Sequence, residues 1–538
     1  MRLDRRTDDH PHVVLLVGEF TPGTVDALGS GAEVRHCDGR DRGALLAALA
    51  DADAVLVGDT PVLDRQAIDA APRLKVIARA GAGVDQLDTQ AATERGIQVT
   101  DAPEAEALST AELTVGMLLA VARNIPQANA ALSAGAWQRS RYSGVELSGK
   151  VLGVIGLGRV GALVAERLAA FGLDVVAYDP HAAPERAAAL GVRLVPWDQV
   201  LAEADFLSVH VPRTAETAGL LGFDALSRVK PGVRIVSVSH EEVVDAGELY
   251  AALKEGRVAA AALDLSAAGA YADTALTELD NVVVTPGLAA RSEEAANRAG
   301  AVAAESVRLA LAGEYGPNVV NMHGHAISAE VQPWLALAER LGAVLTAAGS
   351  VPKVLEVQLR GDLAQEEAAG VLELAALKGV LSGPSGHPVG LVNAPSRARE
   401  HGMTVRLTRA ADAGSYHSVL SLRGIHADGA VTSLAGTLLG RRRQHRLTEA
   451  FGHDLELALD GNLAVFRYPD RPGAVGEIGG ELADADVGIE SMRVARDDST
   501  GTAVAALVTE VPVPPHTLAA AAASVGAFHS CTVRAGRD

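Results

Sequence analysis

Short aliphatic runs recur along the first hundred residues, at 13–18, 33–37, 54–58, 74–78 and 97–100, separated by Ala-rich stretches of helical character. Strands covered on both faces read as continuous apolar runs, so this alternation predicts a doubly wound parallel sheet. A helix is expected over 109–124, where Leu118, Leu119, Val121 and Ala122 crowd the later turns. A helix this apolar is expected to be buried between domains or subunits. A second alternating set follows at 151–155, 175–178, 206–209, 235–238, 259–263 and 282–285. Two such units imply two lobes and a cleft that holds a ligand at the carboxyl ends of strands. A helix over 291–312 would carry the chain back to the first lobe. After Gly316-Pro317-Asn318 strands and helices mix, and from about residue 462 the order becomes strand, Pro-Gly turn, helix, strand, strand, helix, strand. That last order is the signature of a ferredoxin-like unit. The expected organisation is therefore 1–100 plus 294–319 for the first lobe, 101–293 for the second, an α+β domain over 320–458 and the small unit over 459–538.

Composition narrows the functions open to such a chain. Its 538 residues suffice for three or four domains. Lys plus Arg number 47 against 67 for Asp plus Glu, a net charge of -20, which argues against nucleic acid as a partner. No stretch reaches the roughly 20 apolar residues of a spanning helix, and the first ten residues lack the apolar core of a secretory signal, so a cytoplasmic protein with no membrane partner is expected. Cys37 and Cys531 are too few for a disulfide framework or a thiolate metal site, and no metal is expected.

One motif carries a cofactor. The strand 151–155 runs directly into Gly156-Leu157-Gly158-Arg159-Val160-Gly161, a helix follows, and a second strand ends at Asp179. A lone GxGxxG is weak evidence, but strand, turn, helix, strand and acid in this order form the dinucleotide-binding fingerprint. Gly156 and Gly158 let the backbone approach a pyrophosphate at the positive end of the helix. Asp179 would accept hydrogen bonds from the adenosine ribose, which favours NAD over NADP.

The residues resemble the D-3-phosphoglycerate dehydrogenases, NAD-dependent D-isomer-specific 2-hydroxy-acid dehydrogenases. The resemblance rests on Arg79-Ala80-Gly81-Ala82-Gly83-Val84-Asp85, the glycine motif, Tyr178-Asp179-Pro180, His210-Val211-Pro212, Lys230-Pro231-Gly232, Leu263-Asp264 and Val284-Thr285-Pro286. Ala376-Leu377-Lys378-Gly379, Val392-Asn393-Ala394-Pro395 and Asp470-Arg471-Pro472-Gly473 extend it to the long form with intervening and ACT domains. It implies a substrate lobe, a Rossmann NAD lobe, an intervening domain of the allosteric substrate-binding type and a regulatory ACT domain. It also implies NAD contacts from Gly156, Gly158, Arg159, Val160, Gly161, Asp179, His210, Val211, Pro212 and Asp264. Substrate anion contacts would come from Arg79, Gly81 and Gly83, and effector contacts from Asp470 and Gly473.

The chemistry needs a base for the hydroxyl proton, a carboxylate to orient that base and a cation for the substrate carboxylate. The family supplies these from Thr-Pro-His, Glu-Pro and Ala-Arg-Gly segments. The matching positions here are Gly287, Gly269 and His240. Around them stand Asp59, Asp101, Glu104, Glu106, Glu241 and Glu242, where an anionic substrate should dock. The expectation is a chain that binds NAD and has lost, or nearly lost, the family reaction. His240 is the one candidate for a relocated base, with Glu241 or Glu242 to orient it; the alternative is an ordinary surface or cleft histidine.

Other residues bear on partners. Trp137 and Arg139 match a segment that reaches a neighbouring subunit in some relatives, which implies a homo-oligomer, or a hetero-oligomer with an active paralogue. The run Arg441-Arg442-Arg443-Gln444-His445-Arg446 reads as a solvated face or as a site for a small anionic metabolite. The Asn that relatives use near their serine site is Gly488 here, which argues against serine control and leaves the ACT-like unit a pairing role. Two readings stay open: an active dehydrogenase with a rebuilt site, and a non-catalytic NAD-binding subunit.

Overall fold

The computed structural model describes residues 11–58, 62–265, 275–316, 318–322, 327, 330–382, 389–497 and 499–534. Strands β1 (His12–Val17), β2 (Ala32–Cys37), β3 (Ala54–Val57), β4 (Val76–Arg79) and β5 (Gln98–Thr100) form a parallel sheet in the order β2-β1-β3-β4-β5. Val14, Leu16, Leu56 and Val76 fill one face of it and Leu15, Val55 and Ile77 the other. This is why β1, β3 and β4 show no polar alternation, whereas the edge strand β2 alternates half-buried and exposed residues over Ala32 to Arg35.

A second parallel sheet is built from β6 (Val151–Ile155), β7 (Asp174–Tyr178), β8 (Arg193–Leu194), β9 (Phe206–Val209), β10 (Val233–Ser237), β11 (Val258–Asp264) and β12 (Val282–Thr285). Its order, β12-β11-β10-β9-β6-β7-β8, reverses between β6 and β9 and so places a crevice at the carboxyl end of β6. The edge strand β8 has two residues and begins with an exposed Arg, too little apolar pattern to be read from sequence.

Helix Ala107–Arg123 ends where Asn124 adopts the left-handed conformation, φ 53°. Its face Ala111, Met117, Leu118 and Val121 joins Leu152, Val164 and Val236 in one core. The expectation that this helix lies between domains or subunits is thereby corrected: its apolar face covers the second sheet. Helix Glu293–Leu311 returns to the first lobe, burying Ala303, Ala304 and Val307 against Val14 and Leu56.

The third sheet, β13 (Val354–Gly361), β14 (Thr404–Ala410), β15 (Ser418–Ile425), β16 (Val431–Leu439), β17 (Gln444–Ala450) and β18 (His453–Ala458), has the order β14-β13-β15-β16-β17-β18 and is antiparallel except for β13 with β14. Helices Gln332–Ala347 and Val371–Leu381 approach backbone to backbone, since a Cβ at Gly342 or Gly379 would collide with the Ala376 or Glu339 carbonyl. The chain ends in β19 (Asn462–Pro469), β20 (Ile489–Asp497), β21 (Thr502–Thr509) and β22 (His529–Val533), an antiparallel sheet of order β20-β21-β19-β22 with two helices on one face, the ferredoxin-like pattern. Phe466 and Tyr468 point to those helices, while Leu463, Val465 and Cys531 join the core of the third sheet. Both faces of the last sheet are thus buried, and burial pushes the Cys531 thiol up to about 12. Among the described residues no helix is long and apolar enough to cross a membrane.

Candidate functional site

At the end of β6, Gly156 takes φ 89°, a region open to glycine at little cost. A Cβ there would strike the His210 carbonyl, and one on Gly161 would strike the Gly156 carbonyl. Both glycines are therefore required by close backbone approach. Gly158 differs, because a Cβ on it would meet nothing within 4 Å. The space it leaves open lies before helix Arg159–Ala169, whose start has no side-chain cap. Its first-turn amides, with the positive end of the helix dipole, are available to a phosphate. Asp179 Oδ2 accepts from Leu157 N and Oδ1 from His181 N, each at 2.8 Å, which aims the carboxylate across the turn and leaves lone pairs for ribose hydroxyls.

The far wall carries His210, Val211 and Pro212. Val211 lies against Gly156, and the Pro212 carbonyl accepts from Thr217 Oγ1 at 2.6 Å. His210 Nε2 pairs with Ser208 Oγ at 2.7 Å, and burial lowers the imidazole to about 3, so it is neutral at physiological pH. Asp264 is bound up with the following loop: Oδ1 accepts from Thr285 Oγ1 at 2.6 Å and from Leu288 N at 2.8 Å, and Oδ2 from Ala289 N at 2.8 Å. Its carboxylate shapes the turn around Gly287.

The loop expected to seat the substrate anion holds carboxylates of the chain itself. In the loop after β4, Ala82 N donates to Glu106 Oε1 and Gly83 N to Asp101 Oδ2, both at 3.2 Å. The segment bearing these acids is fixed at two further points, Ala102 N to Gly81 O at 2.9 Å and Arg298 to Ala105 O at 2.9 and 3.0 Å. Half-buried Arg79 ends β4, and a Cβ on Gly81 would sit 2.9 Å from Glu106 Oε1 and 3.5 Å from Arg79 Nε. Burial raises the Asp101 carboxyl above its ordinary value, against the opposing pull of the Gly83 amide, Arg159 and Arg79. Arg159 reaches from the nucleotide turn to Glu104 at 3.4 Å, an exposed and weak pair. Beside this seat lies a cavity of about 450 Å³ that includes Glu19, Gly58, Glu106, Arg291 and Glu293 in its walls.

The positions that the resemblance matches to catalytic residues are placed as follows. Gly287 has φ 67°, beside the loop held by Asp264. Gly269 and Asp59 lie outside the described residues. His240 is exposed at the head of the 3-10 turn Glu241–Val243. Ligand atoms of His240, Glu241 and Glu242 come within 4.8 Å of one another, but Glu242 is engaged by Arg213 at 3.2 Å. A hydrogen bond from its own backbone amide, and then Arg213, hold the Glu242 carboxyl below its ordinary value.

Elsewhere, Trp137 is 75% exposed and Arg139 is exposed too. The basic run forms the exposed turn between β16 and β17 and the start of β17, with His445 Nε2 against Pro333 O at 3.1 Å. In the last unit Gly473, φ 89°, opens helix Ala474–Asp484, and Asp470 lies 3.5 Å from Arg496. Neighbouring Arg471 is neutralised by Glu477 at 2.8 and 2.5 Å. Sequence reasoning missed the Arg298 clamp and the loop-shaping role of Asp264, since both depend on partners distant in the chain.

This framework is that of the D-isomer-specific 2-hydroxyacid dehydrogenases: residues 115–289 match the model of their NAD binding domain, so the second lobe is an NAD-binding Rossmann domain. Residues 330–450 match the D-3-phosphoglycerate dehydrogenase intervening domain. D-3-phosphoglycerate dehydrogenase of Mycobacterium bovis is 45% identical over 517 residues, 96% of this chain and 98% of its own. That of Methanocaldococcus jannaschii is 37% identical over 506 residues, covering 93% and 95%. The chain belongs to the D-3-phosphoglycerate dehydrogenase family. Among solved structures, a glyoxylate reductase from Paecilomyes thermophila covers 58% of this chain and 98% of its own at TM-score 0.53 and 26% identity. A D-lactate dehydrogenase from Aquifex aeolicus, complexed with NAD and lactic acid, covers 56% of this chain and 96% of its own at TM-score 0.50 and 26% identity.

Proposed function

We propose that this chain binds NAD(H) and is severely impaired in the family reaction, the NAD-dependent oxidation of 3-phosphoglycerate. The observation that carries the reading is the pair of hydrogen bonds from Ala82 N and Gly83 N to Glu106 and Asp101. A substrate carboxylate can take these amides only by displacing two carboxylates already on them. Two like charges about 4 Å apart repel by about 4 kcal/mol at an effective dielectric of about 20. The loss of a general base at Gly287 costs a further factor of about a hundred to ten thousand in rate.

The cofactor half is intact on the same argument. Gly158 leaves room for a pyrophosphate, the helix start has no side-chain cap, and Asp179, held by Leu157 N, would accept from ribose hydroxyls. NAD supplies the hydride acceptor; the chain's own residues position it. Residues 1–100 with 294–319 serve as the substrate lobe and 459–538 as an ACT-like unit in this reading.

The test combines phosphohydroxypyruvate and NADH with the purified chain while NADH fluorescence reports binding. Binding without measurable turnover is the expected result. Turnover on the order of 10 s⁻¹, an ordinary enzyme rate, would overturn the impairment. An absence of NADH binding would overturn the cofactor half.

A further inference from the structure

A second cavity, about 780 Å³, opens between the first lobe and the helices of the third sheet. Its first-lobe wall comes from Arg73, Lys75, Arg95 and Gln98, which precede or begin β4 and β5. The anion seat lies beyond the carboxyl end of β4, so the two cavities sit at opposite ends of one sheet. Lys378 of helix Val371–Leu381 and Arg397 of helix Ala394–Glu400 complete the opposite wall. The junction is already closely fitted, since a Cβ on Gly96 would come 2.7 Å from Asn393 Nδ2.

The charge here runs against that of the chain. Five cations and one carboxylate, Glu94, line the cavity. Glu94 is engaged by Arg65, Arg73 by Asp53, Lys378 by Glu339 and Arg397 by Glu400, at 2.8 to 2.9 Å. Counting those partners, six cations face four carboxylates in a protein of net charge -20. Arg95 adds charge without a carboxylate in its hydrogen bonds, donating to the Ile68 and Ala71 carbonyls.

Two buried polar atoms in the lining lack partners among the described residues. Gln98 is 7% exposed; its Nε2 donates to Glu314 O at 3.0 Å, which fixes the amide orientation, and Oε1 receives no hydrogen bond. Arg397 Nε likewise has no acceptor. A buried unpaired polar atom is costly, so a ligand that satisfies both atoms would be favoured.

We propose that this cavity binds a small dianionic carboxylate bearing a hydroxyl group. The anionic groups meet Lys75, Arg95 and Arg397, and the hydroxyl donates to Gln98 Oε1. A hydroxyl fits better than an ammonium donor because the surrounding charge is positive. A bound molecule touches both the first lobe and the third-sheet helices, and so links them.

Calorimetry on the full-length chain with L-malate and with succinate tests the site, since the two dianions differ by one hydroxyl. Malate should bind about tenfold tighter than succinate, the worth of one good hydrogen bond to a buried acceptor. Gln98→Leu should erase that difference, and Lys75→Gln, a change at an exposed position, should weaken both ligands about tenfold. Equal binding of the two acids, binding indifferent to Lys75→Gln, or no malate binding in the millimolar range would each overturn the proposal.

Discussion

Glu106 Oε1 accepts the amide hydrogen of Ala82 at 3.2 Å, so a side chain of the protein occupies a position suited to a bound carboxylate. Asp101 does the same on Gly83. The cleft is therefore satisfied internally, and its amides carry no free-energy gain for an incoming anion.

Replacing both acids should reverse this. In the double variant Asp101→Asn with Glu106→Ser, oxalate or inorganic phosphate should bind at least about tenfold more tightly than to the native chain, as removal of like charge from a half-buried seat predicts. Isothermal titration reads the change directly, and an unchanged affinity would mean the acids do not guard the seat. Adding Gly287→His should not restore turnover by itself, because position 287 holds φ 67°, a backbone conformation that a histidine adopts only at a cost.

The nucleotide turn separates binding from packing. Gly158→Ala adds a methyl group into open space, so the melting temperature should stay unchanged while NADH affinity, followed by fluorescence, falls about tenfold or more. Gly161→Ala forces a methyl group onto the Gly156 carbonyl and should cost about 1–3 kcal/mol of stability, seen as a lower urea midpoint.

His210 makes the fold sensitive to acid. Its folded value of about 3 lies below the ordinary 6.5, so between those values the unfolded chain binds the extra proton. Stability should be intact above 6.5 and decline as the pH falls towards 3. Urea titrations across that range should show a shallower decline for His210→Gln, and identical slopes for both proteins would exclude His210 as the source.

The two thiols should report the packing of the last sheet. Cys37 is half-buried, whereas Cys531 is buried and pushed up to about 12, so it carries almost no thiolate near neutrality. A thiol reagent should label one cysteine in the native protein, identified as Cys37 by mass spectrometry, and both in denaturant. Rapid labelling of Cys531 would mean that the last sheet separates from the third.

Much of the framework was legible in the chain. The aliphatic runs marked the inner strands of the first two sheets because a strand buried on both faces has no polar side to confuse the pattern. The two-residue strand Arg193–Leu194 escaped notice because so short an edge has no period. Helix Ala107–Arg123 was recognised, but its apolar face could not name its own partner, and it covers the second sheet. The excess of acids near the anion loop was also visible in sequence. Their hydrogen bonds to Ala82 and Gly83 were not, since residues 18 to 24 positions apart meet only after the loop and helix start are placed.

The amino-acid sequence by itself determined the cofactor turn, Gly156 to Gly161 with Asp179, because backbone approach and helix start are local consequences of residue type and spacing. It also placed glycines, Gly287 and Gly269, where the resemblance expects a base and its orienting acid. Only the tertiary structure decided that Asp101 and Glu106 accept from the Gly83 and Ala82 amides, that Asp264 is bound up with the loop around Gly287, and that six cations among the described residues gather at the opposite end of the first sheet. Those arrangements depend on the three-dimensional convergence of distant segments, and charge acts through distance in space, which order along the chain does not specify.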